Sequence, residues 1–184
     1  MQQTGEFRIA ASRETVWRSL NDPEVLKSCI DGCQSMTRQA DDAFSAAVKA
    51  KVGPVSAMFS ADLNLTDIDP PSSYTLHAAV KGGAAGFAKG LARVRLLEDG
   101  EATLLRYEVE GSVGGKLAQV GSRLIDAAAR KMADDFFGRF GETVAPGGTE
   151  QVVPEDGGGY ERSGRWIIWV VAFAVLLLAI FLAA

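Results

Sequence analysis

KLAQVGSRLIDAAARKMADDFFGRF, residues 116–140, is the stretch on which the fold turns. Leu117, Val120, Leu124, Ala128, Met132, Phe136 and Phe140 recur at three- and four-residue steps, which predicts one long amphipathic helix with these side chains on a single stripe. Just upstream the rhythm is different. Leu105, Tyr107 and Val109 alternate with Arg106, Glu108 and Glu110, the period of two that marks a strand with one buried face.

The period of two continues back to Gln34, broken by the turn signals Asp99-Gly100, Asp69-Pro70-Pro71 and Gly53-Pro54. Ala88, Gly90, Ala92, Val94 and Leu96 share one face, as do Tyr74, Leu76, Ala78 and Val80. So do Val55, Ala57, Phe59, Ala61, Leu63 and Leu65, and likewise Phe44, Ala46, Val48 and Ala50. Before this antiparallel meander, Phe7–Ala10 reads as a short strand. Ser12 offers an N-cap to a helix through Val16, Trp17 and Leu20, and Pro23 starts a second short helix that ends near Gly32. The apolar face of the sheet and that of the long helix must bury each other, so the expectation is an α+β fold of order β-α-α-β6-α. A curved antiparallel sheet wraps around the C-terminal helix, and the domain occupies residues 1–141.

Residues 142–163 carry Pro146-Gly147-Gly148, Pro154 and Gly157-Gly158-Gly159 and read as a flexible linker with a reach of roughly 25 Å. Residues 164–184 read as a membrane anchor. The run WIIWVVAFAVLLLAIFLAA from Trp166 has no charge and no helix breaker, and as a helix it spans about 28 Å, close to a hydrocarbon thickness of roughly 30 Å. Trp166 and Trp169 suit the headgroup zone, while Phe173, Leu177 and Phe181 continue the span into lipid. Arg162 and Arg165 assign the preceding side to the cytoplasm, and MQQTGEFRIAA has no signal-peptide pattern. The expected location is the cytoplasmic membrane, by a single C-terminal pass, with the domain on the cytoplasmic side.

The net charge is −4, with 19 basic and 23 acidic side chains interspersed, so neither a nucleic-acid footprint nor a polybasic lipid patch is visible. Cys29 and Cys33 with a single histidine cannot complete a metal site and read as structural thiols. His77 falls on the outer face of its strand with no nucleophile motif near it, and Asp41-Asp42 and Asp134-Asp135 read as solvated charge, so no catalytic residue is assigned. Gly82-Gly83 and Gly114-Gly115-Lys116 lack the spacing of a nucleotide loop. Arg93, Arg95 and Arg106 form an outward strip that is either a docking surface or, more simply, a solvated face.

The inward positions of the strands are small: Ala46, Ala50, Ala57, Ala61, Ala78, Ala88, Gly90 and Ala92. Either the helix approaches closely to make a tight core, or an apolar cavity remains for a ligand. The expected cavity wall comprises Phe59, Ala61, Leu63, Leu65, Tyr74, Leu76, Ala78, Ala92, Val94, Leu96, Leu105, Tyr107 and Val109 from the sheet. Leu117, Val120, Leu124, Ala128 and Met132 join it from the helix, and Tyr74 and Tyr107 are its polar handles.

Several stretches together resemble a known family. They are Val16-Trp17 with Leu20 and Asp22-Pro23, Cys29-Ile30-Asp31-Gly32-Cys33, Val52-Gly53-Pro54-Val55, Asp69-Pro70-Pro71 and GGKLAQVGSRL from Gly114 to Leu124. In order, they resemble the CoxG family of carbon monoxide dehydrogenase subunits, within the START/polyketide-cyclase (SRPBCC) helix-grip superfamily; the family usually has Pro where Asp31 stands. The resemblance implies a non-catalytic helper that ties a carbon monoxide dehydrogenase-type molybdenum hydroxylase to the membrane. It also implies a lipid-sized interior, for which a quinone (menaquinone or ubiquinone) or similar apolar lipid is the expected occupant. Two other readings are a helix-grip cyclase or hydrolase and a pure membrane scaffold without a ligand.

Overall fold

The structure, a computed structural model, describes residues 2–145 and 149–150. The anchor at 164–184, with Trp166, Trp169, Phe173, Leu177 and Phe181, and the linker beyond residue 150 lie outside the described residues. Among the described residues no helix is long and apolar enough to cross a membrane.

The strand β1 (Gln2–Ile9) leads into two short helices, α1 (Arg13–Leu20) and α2 (Pro23–Cys29). Their starts follow local chemistry. Ser12 Oγ accepts from the Thr15 N–H at 3.3 Å, and Asp22 caps α2 by accepting from Glu24 at 2.9 Å, with Pro23 at the first helical position. Six strands follow as a meander: β2 (Cys33–Ala40), β3 (Ala43–Val52), β4 (Val55–Asp69), β5 (Ser73–Lys81), β6 (Phe87–Asp99) and β7 (Ala102–Gly114). The order β-α-α-β6-α expected from periodicity is the observed one. The sheet order is β2-β3-β4-β5-β6-β7-β1-β8, where β8 is the two-residue strand Thr149–Glu150 beside Arg8 and Ile9 of β1.

Register keeps the expected inward residues on one surface. Leu65 pairs with Leu76 and Leu76 with Ala92; Ala92 pairs with Val109, Val94 with Tyr107 and Leu96 with Leu105. Odd hairpins reverse at one end and even ones at the other. The 52–55 turn, the 82–86 connection and the exit from β7 therefore share an end, opposite the turns at 41–42, 70–72 and 100–101.

The closing helix departs from expectation in two linked ways. It is broken into α3 (Lys116–Val120) and α4 (Ser122–Val144), with Gly121 at φ +94° between them, a backbone region that L side chains rarely adopt. It also continues to Val144, past the expected end at Phe140. The break resets the phase, so the buried stripe of α4 is Ile125, Ala129, Ala133, Phe136, Phe137 and Phe140. Leu124, expected inside, is 52% exposed, and Val120, Ala128 and Met132 are only half-buried. A stripe counted straight through from Leu117 is thus displaced by one residue beyond Gly121.

Candidate functional site

The interior between sheet and α4 divides into a filled half and an open half. In the filled half, Phe137 is fully buried and stacks on Phe7 with ring centroids 4.1 Å apart, while Tyr107 lies parallel to Phe137 at 6.1 Å. Phe136 meets Phe137 edge-on at 5.0 Å and stacks with Phe140 at 5.7 Å. These rings occupy the volume that small strand residues leave. Gly5 makes room in turn: a Cβ there would sit 2.1 Å from the Tyr107 hydroxyl oxygen.

Toward the start of α4 the helix presents only Ile125, Ala129 and Ala133 to the sheet. Opposite them, Ala57, Leu76 and Gly90 remain half-buried although they belong to the inward face and are flanked by buried Phe59, Ala78 and Ala92. Solvent therefore reaches the inner surface of central strands. Of the expected wall, Phe59, Ala61, Leu63, Leu65, Tyr74, Ala78, Ala92, Val94, Leu96, Leu105, Tyr107, Val109 and Leu117 are buried, and Leu76 is half-buried with them. Leu124 does not line this interior. Ala128 and Met132 instead floor a separate groove of about 220 Å³ between α4 and β3, with Ala50 beneath and Lys49, Lys51 and Lys131 on its rim.

Two polar residues belong to the inner arc and are absent from the expected wall. At about 100° per residue, Asp126 points between the directions of Ala133 and Phe137, and Arg130 lies just beyond Phe137. Both are half-buried, and the Arg130 Nε is buried. Burial pushes the Asp126 carboxyl above its ordinary value, an effect that the Arg130 guanidinium opposes. Their i,i+4 spacing was available as a signal, but on a stripe counted from Leu117 they fall on the flank. Tyr74 is the other polar element. Burial drives its phenol well above the usual range, which keeps the hydroxyl protonated, and the Trp17 ring packs edge-on against it at 5.6 Å.

The remaining candidates sit apart from this interior. His77 is exposed on the outer face, its Nε2 3.0 Å from the Thr66 hydroxyl. Cys29 is buried with its Sγ 3.9 Å from the Thr143 hydroxyl, and burial raises the thiol pKa of both cysteines. Among the described residues no three His, Cys, Asp or Glu side chains gather as a metal site. Arg93, Arg95 and Arg106 do lie together on the outer face, but Glu6, Glu108 and Glu110 are interleaved with them. Arg106 pairs with Glu6 and Arg93 with Glu110 at 3.4 Å, so the strip is a mixed, solvated face.

Comparison with known proteins agrees with this architecture. A conserved protein from Geobacillus kaustophilus of known structure is 31% identical, with a TM-score of 0.74, over 79% of this chain and 95% of that one. Proteins from Chromobacterium violaceum (12% identity, TM-score 0.59, 78% of this chain and 99% of that one) and Mesorhizobium loti (15%, 0.56, 80% and 99%) share the fold. No curated protein matches the chain. The sequence profile of the carbon monoxide dehydrogenase CoxG subunit matches residues 5–145, the whole of the sheet and α4, and the chain belongs to that family.

Proposed function

We propose that this protein is a non-catalytic, membrane-anchored accessory of a carbon monoxide dehydrogenase-type molybdenum hydroxylase, and that its interior carries a quinone or similar apolar lipid. The observation that carries the ligand reading is the half-open inner surface: Ala57, Leu76 and Gly90 stay accessible on central strands, beneath a helix that offers only Ile125, Ala129 and Ala133. A wall of this kind suits an isoprenoid or acyl chain. Arg130 and Asp126 would face the polar head, with Arg130 donating to a ring carbonyl and Asp126 holding the guanidinium.

Family membership supports the enzyme as partner, and the apolar run at 166–184 supports the membrane. In this reading the domain stands at the cytoplasmic face, takes a quinone from the bilayer and presents it to the docked enzyme, linking it to the respiratory chain. Detergent-purified protein analysed by native mass spectrometry should carry a quinone-sized mass, and an empty interior would refute the ligand. Deletion of residues 164–184 should release the partner enzyme from the membrane fraction; an enzyme still retained there would refute recruitment.

A further inference from the structure

Charges that alternate along the sequence are sorted by the fold into two poles. The 52–55 turn, the 82–86 connection and the β7–α3–α4 junction meet at one end. There Gly86 and Gly115 are in backbone contact, and Gly53 lies against Val120 and Leu124. The stretches that build this end, 51–58, 81–89 and 111–125, contain Lys51, Lys81, Lys89, Lys116 and Arg123 and no Asp or Glu. Of these five cations Lys81 alone, among the described residues, has a carboxylate in ion-pair reach: Asp62 at 3.7 Å. Asp126, next along α4, is turned inward toward Arg130. The opposite pole is acidic, with Asp41, Asp42, Asp67, Asp69, Glu98, Asp99 and Glu101 in its turns, offset in part by Arg8 and Arg13.

The basic pole also carries protruding apolar side chains. Leu124 is 52% exposed in the first turn of α4, Phe87 is 49% exposed over Gly114, and Met58 on β4 is 51% exposed. We propose that this pole lies on an anionic phospholipid surface, its lysines among the phosphates and Leu124 and Phe87 at the boundary between headgroup and acyl chain. Four of the five cations are lysines, flexible point charges that suit a fluid array of phosphates better than the fixed carboxylates of a protein partner. Each adds roughly five-fold to partitioning near such a surface. Isolated apolar tips set among cations, with no groove between them, fit a bilayer rather than a docked chain.

The tether permits this orientation. The chain reaches Glu150 beside Arg8, toward the acidic pole, and residues 151–165 extend to at most about 50 Å, against about 43 Å for the thirteen residues of β6. Either pole can therefore face the bilayer, and anionic lipid repels the acidic one. The inference goes beyond the ligand and enzyme assigned above and rests on that reading only for the tether.

The test places a benzophenone amino acid at Ala84 on the basic pole or at Glu101 on the acidic pole of the full chain. Each variant is put into nanodiscs of phosphatidylcholine with or without phosphatidylglycerol, and lipid adducts are counted by mass spectrometry. Adducts should form from Ala84 in the anionic discs, at least ten-fold above Glu101. They should fall at least ten-fold in neutral discs and in the K51E/K89E/K116E/R123E variant, whose thermal melt should stay unchanged because all four positions are exposed. Adducts that are missing at Ala84, no more frequent there than at Glu101, or independent of lipid charge overturn the proposal. So does crosslinking of Ala84 to added carbon monoxide dehydrogenase in place of lipid. Co-elution with the disc reports separately on the anchor.

Discussion

Phe7 on β1 and Phe137 on α4 stack face to face with centroids 4.1 Å apart and an interplanar angle of 21°, joining the two ends of the domain sequence. β1 pairs with β7 at the far end of the sheet from β2, so this contact locks the returning strand beneath the helix. Phe137 is fully buried and touches Phe7, Tyr107 and Phe136. Phe137→Ala should lower stability by about 3–5 kcal/mol, read as a shift of the urea midpoint at unchanged m value.

The phase of α4 gives a sharper contrast between adjacent residues. Ile125 is buried at 3% exposure and Leu124 is half in solvent. Ile125→Ala should cost about 2–4 kcal/mol, whereas Leu124→Ser should change stability by less than about 0.5 kcal/mol. A reversed order in thermal melts would restore the unbroken stripe that starts at Leu117.

Gly121 enforces that phase. Its φ of +94° strains any side chain even though the space around it is open, so Gly121→Ala should destabilise by about 1–3 kcal/mol without any steric clash. Calorimetry on the purified protein would show it, and an unchanged melting temperature would mean that α3 and α4 readily join into one helix.

Asp126 supplies a pH dependence. Burial raises its folded-state pKa, so the stability it contributes is present below its ordinary value of 3.8 and declines as pH rises through the raised value. Asp126→Asn should therefore match the parent at low pH and become the more stable of the two toward neutrality. Paired urea titrations from pH 3 to 7 check the sign, and a parent protein that outlasts the variant at pH 7 would mean that Arg130 more than compensates for burial.

Cys29 and Cys33 should behave as inert thiols. Burial raises both above the ordinary 9.0, so neither is appreciably ionised at neutral pH, and thiolate formation weakens the fold only under alkaline conditions. Native protein at pH 7.5 should alkylate with iodoacetamide many-fold more slowly than urea-unfolded protein, measured by intact mass. Equal rates would reopen a redox role.

Periodicity made the strands and the helix legible because a buried face leaves its spacing in the residues themselves. Phe59, Leu63, Leu96 and Leu105 are inward in the sequence pattern and inward in the fold. Asp126 and Arg130 were hidden because their placement depends on a single backbone angle at Gly121, which side-chain spacing does not record. The outward arginines looked basic in a linear reading, since Glu6 joins Arg106 only when β1 pairs with β7.

The amino-acid order by itself determined the α+β class, the number and order of the elements, the caps at Ser12 and Asp22 and an apolar C-terminal run. Each is written in local spacing and composition. Tertiary structure alone decided which face of α4 is inside, where the interior stays open, and that Lys51, Lys81, Lys89, Lys116 and Arg123 share one pole. Antiparallel reversal brings alternate turns together in space, whatever their separation along the chain.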